Sequence, residues 1–191
     1  MAATAPTPTG RDLRVAVPLH QELLPDVENL FGHLPPLNVT RMFANTGDMA
    51  APVLGFVRAV FTAEGVDPRL REILTLRTAW ILSVPYEWEA NVPMARNVGV
   101  TDAGITSIAT DGPVTGLDAT ANLICRATDE ITNDVAVSDL TLQELLDVFG
   151  PTLTTKYILE ISWFNLLSRF LASTRVPVDQ GAPTSDRSSP V

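Results

Sequence analysis

The chain has 191 residues, 46% of them hydrophobic, which is enough for one domain with a sizeable core. Its 13 basic and 22 acidic side chains leave a net charge of −9, which opposes attraction to phosphate backbones and anionic lipid, so neither nucleic acid nor a membrane is an expected partner. The single cysteine, Cys125, excludes an internal disulfide and any CxxC redox or zinc pair.

Residues 1–12 are rich in Ala, Thr and Pro and are expected to form a disordered tail. The opening MAATAPTPTGRDLRV lacks the apolar stretch of a signal peptide, and no run approaches the ~18 apolar residues of a membrane span; a soluble, cytoplasmic protein is the expectation. A single helical domain is expected over 13–176. Within it, Pro18, Pro25, Pro35 and Pro36 break the first stretch into one or two short helices, because proline lacks an amide donor and disfavours helix just before itself.

From Asn38 the apolar period is helical. Asn38 or Thr40 is placed to cap a segment holding Met42 and Phe43, and a second helix is predicted over Pro52–Thr62. Asp67 followed by Pro68 is a start signal, since the aspartate accepts a free amide and the proline lacks one; that helix should reach about Leu82. The next begins at Pro85, is kinked at Pro93 and ends at a left-handed Gly99. Further helices are predicted over 101–109, 118–132, 138–149 and 152–173, with Ser138 and Thr141 competing to cap the third of these. No segment sustains a period of two, so the fold class is all-α. The last helix is apolar around most of its circumference and must be covered by its own domain or by another subunit, which points to a homo-oligomer. Residues 177–191, PVDQGAPTSDRSSPV, read as a disordered C-terminal tail.

Chemistry concentrates in EILTLRTAWILSVPYEWEANVPMARN, between Glu72 and Asn97. Glu72 and Glu87 lie fifteen residues apart on consecutive predicted helices, with Tyr86, Trp88 and Asn91 around the second. Helix dipoles favour the charged form of a carboxylate in a first turn, whereas an apolar pocket raises its pKa; enclosed by Tyr86 and Trp88, Glu87 would stay protonated and serve as an acid. Asn91, one turn on, faces the same side and can bind a substrate oxygen or Glu87 itself. Taken alone, such a pair is more often helix-end decoration: acids favour first turns, and Glu72 has Arg69 three residues back.

Other candidates are weaker. His20 and His33 have no metal-ligand spacing, and Cys125 reads as a buried structural thiol. Arg96, Arg77 and Arg126 are possible carboxylate clamps, equally well explained as partners of the many acids. Two carboxylates without histidine are a thin ligand set for a transition metal, so no metal site and no cofactor are expected.

From about Asn38 to Pro177 the chain resembles the carboxymuconolactone decarboxylase and alkylhydroperoxidase D family, most closely in REILTLRTAWILSVPYEWEANVPMARNVGVT and ILEISWFNLLSRFLASTRVPV. The resemblance implies an all-helical protein assembling as a trimer or hexamer, with its pocket near a subunit interface; a dimer remains open. Peroxidase-type members carry a glutamate ahead of a Cys-x-x-Cys-x-x-x-His array. Here the glutamate position holds Glu72, the two cysteine positions hold Val84 and Glu87, and the histidine position holds Asn91. Without either thiolate, thiol peroxidase chemistry is rejected. Decarboxylase-type members keep the glutamate pair, commonly with a histidine where Asn91 stands, and asparagine cannot take up a proton near neutral pH.

The reading is therefore a cofactor-independent lyase (decarboxylase-like) or an isomerase or cyclase acting on a small carbonyl, lactone or carboxylic-acid substrate, in a specialised biosynthetic or catabolic pathway. Glu72 and Glu87 are the acid/base pair, Tyr86, Asn91 and Arg96 hold substrate oxygens, and Trp88 forms an apolar wall. The alternative is a non-catalytic ligand-binding or assembly member of the same family.

Overall fold

The computed structural model describes residues 13–19, 37–181 and 183–187. Among these residues there are helices and no strand: α1 (Asn38–Ala44), a 3-10 turn (Gly47–Met49), α2 (Ala50–Phe61), α3 (Pro68–Ile81), α4 (Pro85–Asn97), α5 (Asp102–Ile108), α6 (Ala119–Asp134) and α7 (Asp139–Thr174). The N-terminal tail, most of the proline-broken stretch, His20 and His33 lie outside the described residues. Residues 13–19 form no helix. They run alongside the end of α7 instead, with the Val15 amide on the Thr174 carbonyl at 3.1 Å.

Local chemistry explains the helix boundaries. Asp67 accepts the Arg69 amide at 2.8 Å ahead of Pro68, Thr101 accepts that of Gly104 at 3.1 Å, and Asp118 accepts that of Ala121 at 3.0 Å. Ser138, rather than Thr141, caps α7, its Oγ taking the Thr141 amide at 3.2 Å. Gly99 has the expected positive φ of 93°, just past the end of α4. α4 runs on through Pro93 as one helix. A break falls in α7, at Gly150 (φ 69°, ψ 172°) before Pro151, and separates the two helices predicted there.

α3 is the axis of the domain, packed against α4, α5, α6 and α7. Every residue from Leu70 to Ala79 is buried, so this helix has no solvent face. Leu70, Ile73, Leu74 and Leu76 supply apolar burial, roughly 1.5–3 kcal/mol per side chain. Its polar residues need partners inside: Thr75 and Thr78 donate back to the carbonyls of Arg71 and Leu74, each at 2.8 Å. Arg77 is held by Asp129 at 2.5 Å and donates to the carbonyls of Ile108, Thr110 and Gly112, tying α3 to α6 and to the loop after α5.

The second half of α7 closes the core. Tyr157, Ile161, Phe164 and Leu171 face inward, and Phe164 meets Phe61 edge-on with ring centroids 6.1 Å apart. On its outer side Leu159 and Leu166 are exposed, at 51% and 56%. A smaller cluster of Met42, Val84, Tyr86, Leu171 and Val176 joins α1, α4 and the end of α7.

Residues 177–181 and 183–187 lie against α1 and α4. Asp179 accepts the Asn38 amide at 2.9 Å and the Tyr86 hydroxyl at 2.5 Å, and the Asn97 amide group binds the carbonyls of Ser185 and Arg187. The segment has too few apolar residues for a core of its own and is ordered by polar contacts to a surface already built.

Candidate active site

A chain of two helices places the two glutamates. α3 is wholly interior, so Glu72 in its second turn is carried into the core at 0% exposure. The short connection through Ser83 (φ 54°) turns into α4 at Pro85, and Glu87 enters the interior in the first turn at 2% exposure. Burial pushes both carboxyls up from 4.5 to about 8, which favours the protonated form of each relative to a free side chain.

Their surroundings differ. Arg71 approaches Glu72 with Nε 3.6 Å from Oε1, an ion pair too long for a hydrogen bond; the guanidinium opposes the effect of burial on Glu72, and the charge of Glu160 adds to it. Glu87 is opposed only by the Ser168 hydroxyl, which donates to its Oε2 from α7. The charges acting on Glu72 are thus Arg71 and Glu160, while Glu87 answers to Ser168. Both Glu72 oxygens and Glu87 Oε1 lack hydrogen-bond partners among the described residues.

The remaining expected contacts have partners within the chain. The Tyr86 hydroxyl is buried between the Val39 amide, at 3.1 Å, and Asp179; burial first, and then the Asp179 charge, make it a weaker acid than a free phenol. Asn91 donates to the Glu87 main-chain carbonyl at 2.7 Å rather than to its carboxylate. Trp88 is buried, with its ring 5.5 Å from that of Trp80. Arg96 is at the surface, paired with Asp102 at 2.8 Å. Arg77 is a structural bracket, and Arg126 pairs with Glu144 at 2.5 Å. The Cys125 thiol is buried in the core and pushed up to about 12, far from the thiolate that redox work needs. No group of three or more His, Cys, Asp or Glu able to hold a metal occurs among the described residues.

Sequence reasoning missed Ser168 and Glu160. Both lie on α7, on the inward stripe of Tyr157, Ile161, Phe164 and Leu171. The available signal was their spacing: a serine and a carboxylate in register with the buried face of an otherwise apolar helix need a polar reason to be there.

Residues 47–130 match the model of the carboxymuconolactone decarboxylase family. Over this segment the chain is similar to that family. The matched segment runs from the 3-10 turn into α6 and includes Glu72 and Glu87, while α7, with Glu160 and Ser168, lies beyond it. The carboxymuconolactone decarboxylase family includes decarboxylases and peroxidase-like members, and its helical domain agrees with the architecture here. No curated protein matches the chain. Among the described residues no helix is long and apolar enough to cross a membrane.

Proposed function

We propose that the protein is a cofactor-independent enzyme performing acid/base chemistry, decarboxylation, isomerisation or cyclisation, on a small carbonyl, lactone or carboxylic-acid substrate. The observation that carries this reading is the state of Glu72 and Glu87: two carboxyls closed off from solvent with pKa values raised to about 8. A group that titrates near the working pH can both give and take a proton, and a dry surrounding strengthens its effect on charge developing at a carbonyl. Glu87, with no cation opposing its protonation, serves as the acid, and Glu72, beside Arg71, as the base. Trp88 forms an apolar wall, and substrate oxygens take over Tyr86, Asn91 and Arg96 from their present partners. The same reading makes the chain a cytoplasmic homo-oligomer, supported by the exposed Leu159 and Leu166 on the outer side of α7.

One observation favours the second reading, a non-catalytic ligand-binding or assembly member. Tyr86, Asn91 and Arg96 already have hydrogen-bonded partners in the chain, as a site that has lost its reaction would. The deciding experiment is turnover of a panel of small lactones and keto acids by the wild type, Glu72→Gln and Glu87→Gln, with folding of each checked by circular dichroism. The enzyme reading expects a loss of at least 100-fold in both variants, in line with the usual contribution of a general acid or base. Equal turnover in all three, or none in the wild type across the panel, overturns it.

A further inference from the structure

Glu72 does not face the core alone. Glu160 on α7 is 3% exposed, and its charge acts on Glu72 across the α3–α7 contact. The Arg71 charge acts on both carboxyls, and its Nε is 3.6 Å from Glu72 Oε1. The guanidinium itself is fixed, 4.7 Å over the Phe61 ring and with Nη1 3.4 Å from the Phe61 carbonyl. Other groups bearing on the cluster are Lys156, whose Nζ is directed to the Glu64 carbonyl at 2.6 Å, and Tyr157, whose hydroxyl accepts the Asp67 amide at 3.1 Å.

With all three groups ionised, two buried carboxylates would share one buried guanidinium, since Lys156 is held at an exposed contact with the Glu64 carbonyl, and an excess negative charge inside the domain is unfavourable. The hydrogen-bond pattern shows the same deficit. None of the four oxygens of Glu72 and Glu160 meets a donor among the described residues. One proton on the pair cures both faults, because a protonated carboxyl is neutral and gains an O–H donor for its neighbour, directly or through one water.

We propose that Glu160 is the proton partner of Glu72: the two carboxyls hold one proton between them beside Arg71, and Glu72 is ready to act as a base whenever that proton lies on Glu160. When Glu72 takes a proton from substrate, the pair holds two, and releasing one to the product restores the resting count. Glu160 is thus a positioning residue for the charge state of Glu72. The inference rests on the acid/base reading of Glu72 for its role, while the sharing itself is a property of the resting protein.

The test is an infrared titration of the buried carboxyl C=O absorption in the wild type, Glu160→Gln, Glu72→Gln and Glu87→Gln, each band assigned by its loss in the matching variant. Removing the negative neighbour in Glu160→Gln should make Glu72 at least tenfold more acidic. Glu72→Gln should do the same to Glu160, so the coupling is read from the other side if one variant fails to fold. Glu87→Gln should move neither. A Glu72 titration unchanged in Glu160→Gln, or shifted as far by Glu87→Gln, overturns the proposal. A coupled titration in a protein that turns over nothing in the substrate panel leaves the pair intact and removes the acid/base reading instead.

Discussion

Replacing Glu87 by glutamine should abolish a large part of the pH dependence of folding stability. In the native protein burial holds this carboxyl up at about 8, whereas the unfolded chain titrates near 4.5. Between those values the folded state binds more protons than the unfolded one, so stability is fully present below about pH 4.5 and falls as pH rises through about 8. At about 1.4 kcal/mol for each tenfold change in proton affinity, the span from 4.5 to about 8 corresponds to at most about 5 kcal/mol. Glutamine has the shape of the protonated acid and no charge at any pH. It can still accept the Ser168 hydroxyl, and its amide occupies the place where Oε1 has no partner, a pH-independent cost of about 1–3 kcal/mol. Urea unfolding of wild type and Glu87→Gln at intervals from pH 5 to pH 9 measures the difference. Stability of the variant should gain on the wild type by several kcal/mol across that range. Glu72 and Glu160 act in both proteins and so drop out of the comparison. Two parallel curves would refute the claim that Glu87 is enclosed and protonated.

Arg77→Met should destabilise the fold by about 3–5 kcal/mol, because it leaves Asp129 half-buried without its cation and the carbonyls of Ile108, Thr110 and Gly112 without this donor; an unchanged urea midpoint would contradict the bracket. Gly150→Ala should cost about 1–3 kcal/mol, since φ 69° with ψ 172° is a conformation open mainly to glycine; a neutral result would mean that α7 is not broken there. Tyr86→Phe removes the hydroxyl that Asp179 accepts and should speed proteolytic cleavage within residues 177–187, read by mass spectrometry; an unaltered cleavage pattern would show that other contacts suffice to hold the segment.

Most of the helical layout was legible because its signals are local. Asp67–Pro68, Thr101, Asp118 and Gly99 each act through their own main-chain geometry, and no distant residue has to be known to place them. The kink assigned to Pro93 is a different matter. Pro93 costs α4 one main-chain hydrogen bond and the helix continues through it, whereas a glycine with positive φ ahead of Pro151 gives a sharper break. At the candidate site, the two glutamates were legible by their neighbours in sequence. Their partners were not, because Ser168 and Glu160 reach them from a helix some 80 residues further along the chain. The C-terminal segment shows the same limit: its composition gives no core, and only the surface of α1 and α4 reveals what orders it.

The central claim, that Glu72 and Glu87 move protons at a substrate carbon, is tested most directly by deuterium incorporation. Small keto acids and lactones incubated with the protein in heavy water, followed by NMR, should acquire deuterium beside the carbonyl, or at the carbon that loses carboxylate. The wild type should label at least one of these compounds, with labelling lost in both Glu72→Gln and Glu87→Gln. Labelling that persists unchanged in both folded variants would contradict the account.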